Sequence, residues 1–302
     1  MIPIRDDNPT YHKPVLTIIT IALCVLVFGW QSIGTEVEQT ARLFRYATVP
    51  FNVTHSDDQA LLLVDKFGNP EFMPKSRYDA MPKVAERTIE PVRGRRPLRE
   101  PFSAANVVLV VVQAAAPWLT LLTAMFMHGG LMHLLGNMWY LWIFGNNIED
   151  AMGKVRFAIF YLGTGLVAGI AHIISSPESC IPCIGASGAI SGVLGAYLVL
   201  YPKAHVHTVV PLGYFWQSFA IPAIFFLPIW ILLQFSGLLT SSSTGGGVAY
   251  WAHIGGFVAG LVLVKVFESR EHRERVKHGD YSPEHRHTPR YPFSPPRDPW
   301  TR

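Results

Sequence analysis

The sequence predicts an all-α membrane protein, a bundle of six transmembrane helices with a long outer loop between the first two spans. Three observations carry that expectation. Half of the 302 residues are hydrophobic and only 15% are charged, too apolar a balance for an ordinary soluble chain. Apolar runs at 15–33, 131–148, 157–175, 186–201, 217–239 and 249–267 approach or reach the roughly 20 residues that a helix needs to cross about 30 Å of hydrocarbon. The joins after the second run are short, as a compact bundle requires. The formal net charge of +4 is spread over the first residues, the short loops and the tail, which argues against nucleic acid as a partner.

Residues 1–14 read as a short leader into the first span and carry Arg5 and Lys13. The run 15–33 could be taken for a secretory signal. No small-residue cleavage site follows it, and Leu23 before Cys24 argues against a lipoprotein signal, so an uncleaved anchor is expected. Residues 34–130 form a connection far longer than usual. Its middle, 77–101, is rich in charge and proline and reads as an exposed or partly disordered loop, with a flexible spacer and a docking surface both open as its role. Its end, 106–127, is long enough for a seventh span by hydropathy alone, but Pro117, Trp118 and the Gly129-Gly130 break favour a bent, half-embedded segment.

Residues 131–267 hold the other five spans. Arg5, Lys13, Lys154, Arg156, Lys203 and a basic tail fall on one side, whereas 176–184 and 240–248 carry no Lys or Arg. The positive-inside bias then makes both termini cytoplasmic, and the second, fourth and sixth spans begin at the outer face. Residues 268–302 alternate charge with His and Pro and read as a disordered cytoplasmic extension, metal binding by its histidines being the alternative.

Polar groups inside lipid-length segments are expensive and by default functional. Ser187 opens the fourth run, where the leading N–H groups of a helix lack partners and its dipole is positive. A helix cap is the bland reading of such a serine. His253 opens the sixth run. Gly185 and Gly188 flank the serine, Gly188 and Gly192 continue along its helix, and Ala252, Gly256 and Gly260 repeat a small-residue spacing in the sixth run. Such faces let helix backbones nearly touch, which would bring His253 within reach of Ser187. No Asp or Glu lies in the sixth run, so the pair reads as a Ser-His dyad and not a triad. His133 and Asn137 share one helical face in the second run and can both donate to a developing oxyanion, with His128 nearby. A zinc site is the rival for these histidines, but their spacing lacks the carboxylate of a His-Glu-x-x-His helix. Glu149 at the far end of that run reads as a structural anchor. Cys180 and Cys183 stand just ahead of Ser187, and a disulfide, free thiols and a redox pair are all open.

The Gly-x-Ser-Gly around Ser187, Ala252-His253 with Gly255-Gly256, the His133 and Asn137 pair and the six-span order together resemble the rhomboid intramembrane serine proteases. Residues 2–9 and 144–150 resemble bacterial members, and the likeness runs from residue 1 to about 267. The resemblance implies that Ser187 is the nucleophile and His253 the base. It implies that the Ser187 N–H, Asn137 and His133 bind the oxyanion, and that His128 lines the outer mouth. It further implies a lateral gate at 217–239, loosened by Pro222 and Pro228, and membrane-anchored protein substrates met within the lipid bilayer of a bacterial inner membrane, with no cofactor. Ser191 stands where some members carry a tyrosine that stacks under the base. A catalytically inactive relative that binds membrane helices is the alternative from another class, and it predicts loss of the serine or the histidine, both of which this chain keeps. A transporter with broken helices would give no reason for the two at matched depth.

Overall fold

The computed structural model describes residues 1–65, 70–80, 107–110, 116–212, 215–240 and 249–277. In chain order these form β1 (Ile2–Asp6), α1 (Val15–Gln31), α2 (Glu36–Tyr46), α3 (Pro50–Thr54), β2 (Ala60–Asp65), β3 (Pro70–Pro74), α4 (Lys75–Asp79), β4 (Val107–Val110) and α5 (Pro117–Thr123). There follow α6 (Leu131–Tyr140), α7 (Asn146–Met152), α8 (Lys154–Ser175), α9 (Ser187–Leu200), β5 (His205–Leu212), β6 (Phe215–Pro222), α10 (Ala223–Thr240), α11 (Tyr250–Phe267) and α12 (Arg270–Lys277). A π-helical turn at Leu141–Gly145 joins α6 to α7 as one helix, Leu131–Met152. The chain is mostly helical, and α8 and α11 are each long and apolar enough to cross a bilayer. The pair Pro117–Phe126 and Leu131–Met152, bent by 79° at the Gly129-Gly130 break, would make a third such span, and α1, α9 and the part of α10 up to Gln234 are shorter apolar helices.

The bundle core gathers Leu141, Phe144, Phe160, Tyr197 and Phe226, all essentially without exposure. Phe144 meets Tyr197 edge-on at 5.0 Å between ring centroids. Glu149 accepts hydrogen bonds from the N–H groups of Leu16 (2.9 Å) and Thr17 (2.8 Å). These are two of the orphan donors at the start of α1, so a carboxylate at the positive end of that helix fixes α1 to the end of α7.

Between α1 and α5 lies a folded insert. The Thr35 side chain accepts from the Glu38 N–H, and the Glu38 carboxylate accepts from the Thr35 N–H, a capping box that starts α2. Strands β3, β2 and β4 form an antiparallel sheet in that order, and Phe44, Val49, Phe51, Ala60 and Leu62 close a small core that also takes in Cys180. Thr48 and Cys183 exchange backbone hydrogen bonds of 3.0 and 2.8 Å, so the insert grips the loop that leads to α9. At the other end of α9, β1, β5 and β6 make a second antiparallel sheet.

Four sequence expectations are corrected here. Residues 217–222 belong to strand β6 and the helix begins at Ala223, so Pro222 sits at a strand end and only Pro228 lies inside α10. The uncharged β-branched and aromatic residues of this hairpin raise hydropathy as a span does, and a window average merges the two. Within 106–127, Val107–Val110 is a strand paired with β2, and Pro117 occupies the first turn of α5, where its missing N–H costs nothing. The connection 34–130 is largely structured where described, while most of its charged middle, 81–100, lies outside the described residues. The expected disordered tail opens with α12, whose His272 is fully buried between Tyr201 (3.0 Å) and Glu268 (2.7 Å), and 278–302 lies outside the described residues.

Asp6 links the β1 sheet to the bundle. Its Oδ2 accepts from Tyr197 Oη (2.5 Å) and Asn147 Nδ2 (2.7 Å). Burial lifts its carboxyl to about 7, outweighing those two hydrogen bonds, which act the other way. The folded chain therefore holds a proton that the unfolded chain releases near pH 4, and this contribution to stability is full below that pH and is lost as pH rises through about 7. Asp6→Asn keeps an acceptor for both donors and carries no charge. Thermal unfolding across pH 4–8 should lose this slope in the variant, with a midpoint at pH 8 above wild type by roughly 2–4 °C for each kcal/mol regained.

Candidate active site

Helix α9 starts at Ser187 because the loop before it is turned by Gly185, which has φ +120° and donates its N–H to Ala124 O at 2.9 Å. Only glycine adopts that backbone readily. The residue preceding the helix is Ala186, which makes no side-chain cap, and the Ser187 hydroxyl lies 2.8 Å from His253 Nε2. His253 is buried in the first turn of α11.

Small residues set this distance. A Cβ on Gly256 would strike the Gly188 carbonyl oxygen, and a Cβ on Gly260 would strike the backbone of Gly192. Gly195 meets the backbone of Phe257 in the same way, while Gly188 and Gly192 also take the Ala168 and Thr164 side chains of α8. Helices α9, α11 and α8 therefore pack nearly backbone to backbone, as small-residue faces allow in a membrane. Gly185, grouped by sequence with the packing glycines, lies outside α9 and plays a different part. A Cβ there would sit 2.9 Å from His133 Nε2 and 3.6 Å from Asn137 Nδ2, so its bareness keeps open the space those two side chains face.

That space adjoins Ser187. His133 Nδ1 accepts from the Gly129 N–H at 3.5 Å, which leaves Nε2 to carry the ring proton toward Gly185. Asn137 Nδ2 is buried with no hydrogen-bond partner among the described residues. Both nitrogens thus lie beside the Gly185 turn that leads into Ser187. His128 is fully buried, its ring 5.3 Å from that of His133. Its backbone is clamped by Gln31 of α1, whose Oε1 accepts the His128 N–H at 3.1 Å and whose Nε2 donates to the His128 carbonyl.

Two further residues contact the site and were not singled out from sequence. Gln234 Oε1 is 2.8 Å from His253 Nδ1, and the Trp230 ring lies 6.1 Å from the imidazole, both on α10. The signal for Gln234 was present, because an amide inside an apolar run is itself an exception that asks for a partner. A search confined to carboxylates passed over it. Ser191 donates to the Ser187 carbonyl at 2.7 Å.

Cys180 and Cys183 are both free thiols in the structure, one of the three readings the sequence left open. Cys180 is committed to the core of the insert, and burial pushes the two thiols up to about 11 and about 12. No group of three metal-ligating side chains occurs among the described residues.

A domain model described as Rhomboid matches residues 115–270, which include every residue of this site except Gln31. GluP of Bacillus subtilis, a rhomboid protease, is 42% identical over 85 residues, covering 28% of this chain and 16% of its own length. The rhomboid protein YdcA of the same species is 36% identical over 87 residues, covering 29% of this chain and 43% of its own. The human mitochondrial presenilin-associated rhomboid-like protein is 28% identical over 173 residues, covering 52% of this chain and 41% of its own. The chain thus spans less than half the length of each of these relatives.

The close approach of α9 to α11 yields a test. Gly260→Val forces the two backbones apart and should destabilise the folded chain by roughly 1–3 kcal/mol, read as a lower unfolding midpoint in detergent. Gly130→Ala, where an added Cβ meets nothing within 4 Å, should leave that midpoint close to wild type.

Proposed function

The chain belongs to the rhomboid family and is an integral membrane protein, and from that premise we propose that it is an intramembrane serine endopeptidase acting on membrane-anchored proteins in or near their transmembrane segments. The observation that carries this reading is the 2.8 Å contact between Ser187 Oγ and His253 Nε2, with the donors of His133 and Asn137 beside it. The names of the relatives support protease chemistry.

In this reading His253 Nε2 takes the hydroxyl proton as Ser187 Oγ attacks the scissile carbonyl. The carbonyl oxygen becomes an anion held by the Ser187 N–H, Asn137 Nδ2 and His133 Nε2, each donor worth about 3 kcal/mol of barrier. His253 then gives its proton to the leaving amine, and an acyl group remains on Ser187. Water, activated by the same imidazole, releases it. A neutral dyad of this kind lacks an orienting carboxylate and should turn over slowly.

The six spans of this reading are α1, Leu131–Met152, α8, α9, α10 and α11, with the insert within 34–130 on the outer side and both termini in the cytoplasm. Helix α9 has 14 residues, about 21 Å at 1.5 Å each. It is too short for the full hydrocarbon thickness, which would set Ser187 below the outer surface and reached by water from that side. The opening segment supports a bacterial inner membrane, although relatives occur in mitochondria.

Full-length protein in liposomes should cleave a reporter bearing a single transmembrane segment. Ser187→Ala and His253→Ala should each lower kcat by about 10³-fold or more, and equal cleavage by all three would overturn the function. Asn137→Ala should lower kcat by about 10²-fold with little change in KM.

A further inference from the structure

We propose that Gln234, carried by α10, is the positioning residue for the base, so that His253 is correctly set only while α10 packs against α11. The proposal rests on the Ser187 and His253 reading above and adds to it a third member carried by a different helix.

His253 makes two ring contacts and they are complementary. Nε2 faces Ser187 Oγ at 2.8 Å, and Nδ1 faces Gln234 Oε1 at 2.8 Å. An amide oxygen only accepts, so this contact places the ring proton on Nδ1 and leaves the Nε2 lone pair for the serine hydroxyl. The same contact fixes the ring about its own axis. Ser191 is turned back to its own helix, and the α9 face opposite His253 is glycine and alanine.

The second group against the imidazole, Trp230, is also on α10, four residues before Gln234 and so on the same helical face. Both contacts that orient the base therefore depend on where α10 sits. That helix carries a broad exposed apolar face. Ile224, Phe225, Ile229, Leu232 and Leu233 are all 41% exposed or more, and Pro228 removes a hydrogen bond from its middle. Its link to α6 at this level runs through Trp230 and Tyr140, whose rings lie 6.3 Å apart. Any movement of α10 away from α11 would withdraw the acceptor from Nδ1.

The test uses full-length protein in liposomes and a dye-labelled peptide of one transmembrane segment containing Gly and Pro. Gln234→Leu should lower kcat about 10- to 100-fold with KM within about twofold, less than the roughly 10⁴-fold loss seen when a triad carboxylate is neutralised. Gln234→Glu keeps an acceptor and should restore kcat to within a fewfold of wild type. In ¹⁵N-histidine-labelled protein, the downfield Nδ1 proton signal should be present in wild type and Gln234→Glu and absent in Gln234→Leu. Tyr140→Ala loosens the α6–α10 seam and should lower kcat in wild type but add no loss on Gln234→Leu. Wild-type kcat in Gln234→Leu, or a Gln234→Glu variant as poor as Gln234→Leu, overturns the positioning role, and additive losses with Tyr140→Ala overturn delivery by α10. Ser187→Ala run in parallel separates the two levels. If it is inactive while Gln234→Leu is fully active, this proposal alone fails, whereas an active Ser187→Ala overturns the serine reading and the proposal with it.

Discussion

The contact on which the rest depends is the packing of α9 on α11 through glycines whose backbones meet. Gly256 lies on the Gly188 carbonyl and Gly260 on the backbone of Gly192, with no room for a methyl group at either. In lipid there is little hydrophobic gain in joining two apolar helices, so close van der Waals contact has to hold them together. The same closeness that holds the helices brings the first turn of α11 against the first turn of α9. Ser187 and His253 both lie in those turns, and their 2.8 Å separation is a consequence of the glycine register. Stability of the bundle and geometry of the site are here one constraint.

Around that pair the rest of the chain supplies supports from many distances in sequence. The Gly185 turn is tied to Ala124 O, His128 is clamped by Gln31, and the loop before α9 is gripped by Thr48 of the insert. At the other end, Glu149 caps α1, and Asp6 joins the β1 sheet to Tyr197 and Asn147. These are polar contacts made at the two ends of apolar helices, where backbone groups would otherwise lack partners. The insert and the β1–β5–β6 sheet thus act on opposite ends of the same helix, α9.

Helical class, membrane character and family were legible in the sequence, because apolar runs of span length and a few motif residues leave little else to read. Of the site, the sequence directed attention to Ser187, His253, His133 and Asn137, since each is a polar group in an apolar run, and their roles belong to the proposal above. Gln234 and Gln31 were passed over because an uncharged amide raises no alarm in a search for acids. The hairpin of β5 and β6 was hidden for a different reason. Val, Phe and Trp serve strands and spans alike, and without alternating charge the two cannot be told apart by hydropathy. The insert was read only as a long loop, because short elements such as those that bring Phe44, Val49, Phe51 and Leu62 into a small core carry no span-length or clearly periodic signal.

The central claim is that glycine-driven contact between two helices makes one half-buried serine reactive through one histidine. Exposure of the liposome-embedded chain to a fluorophosphonate, followed by intact mass and peptide mapping, tests it most directly. A single adduct on Ser187 that disappears in His253→Ala is the predicted result. An unmodified Ser187 in the folded protein, or an adduct that forms at the same rate without His253, would contradict the account.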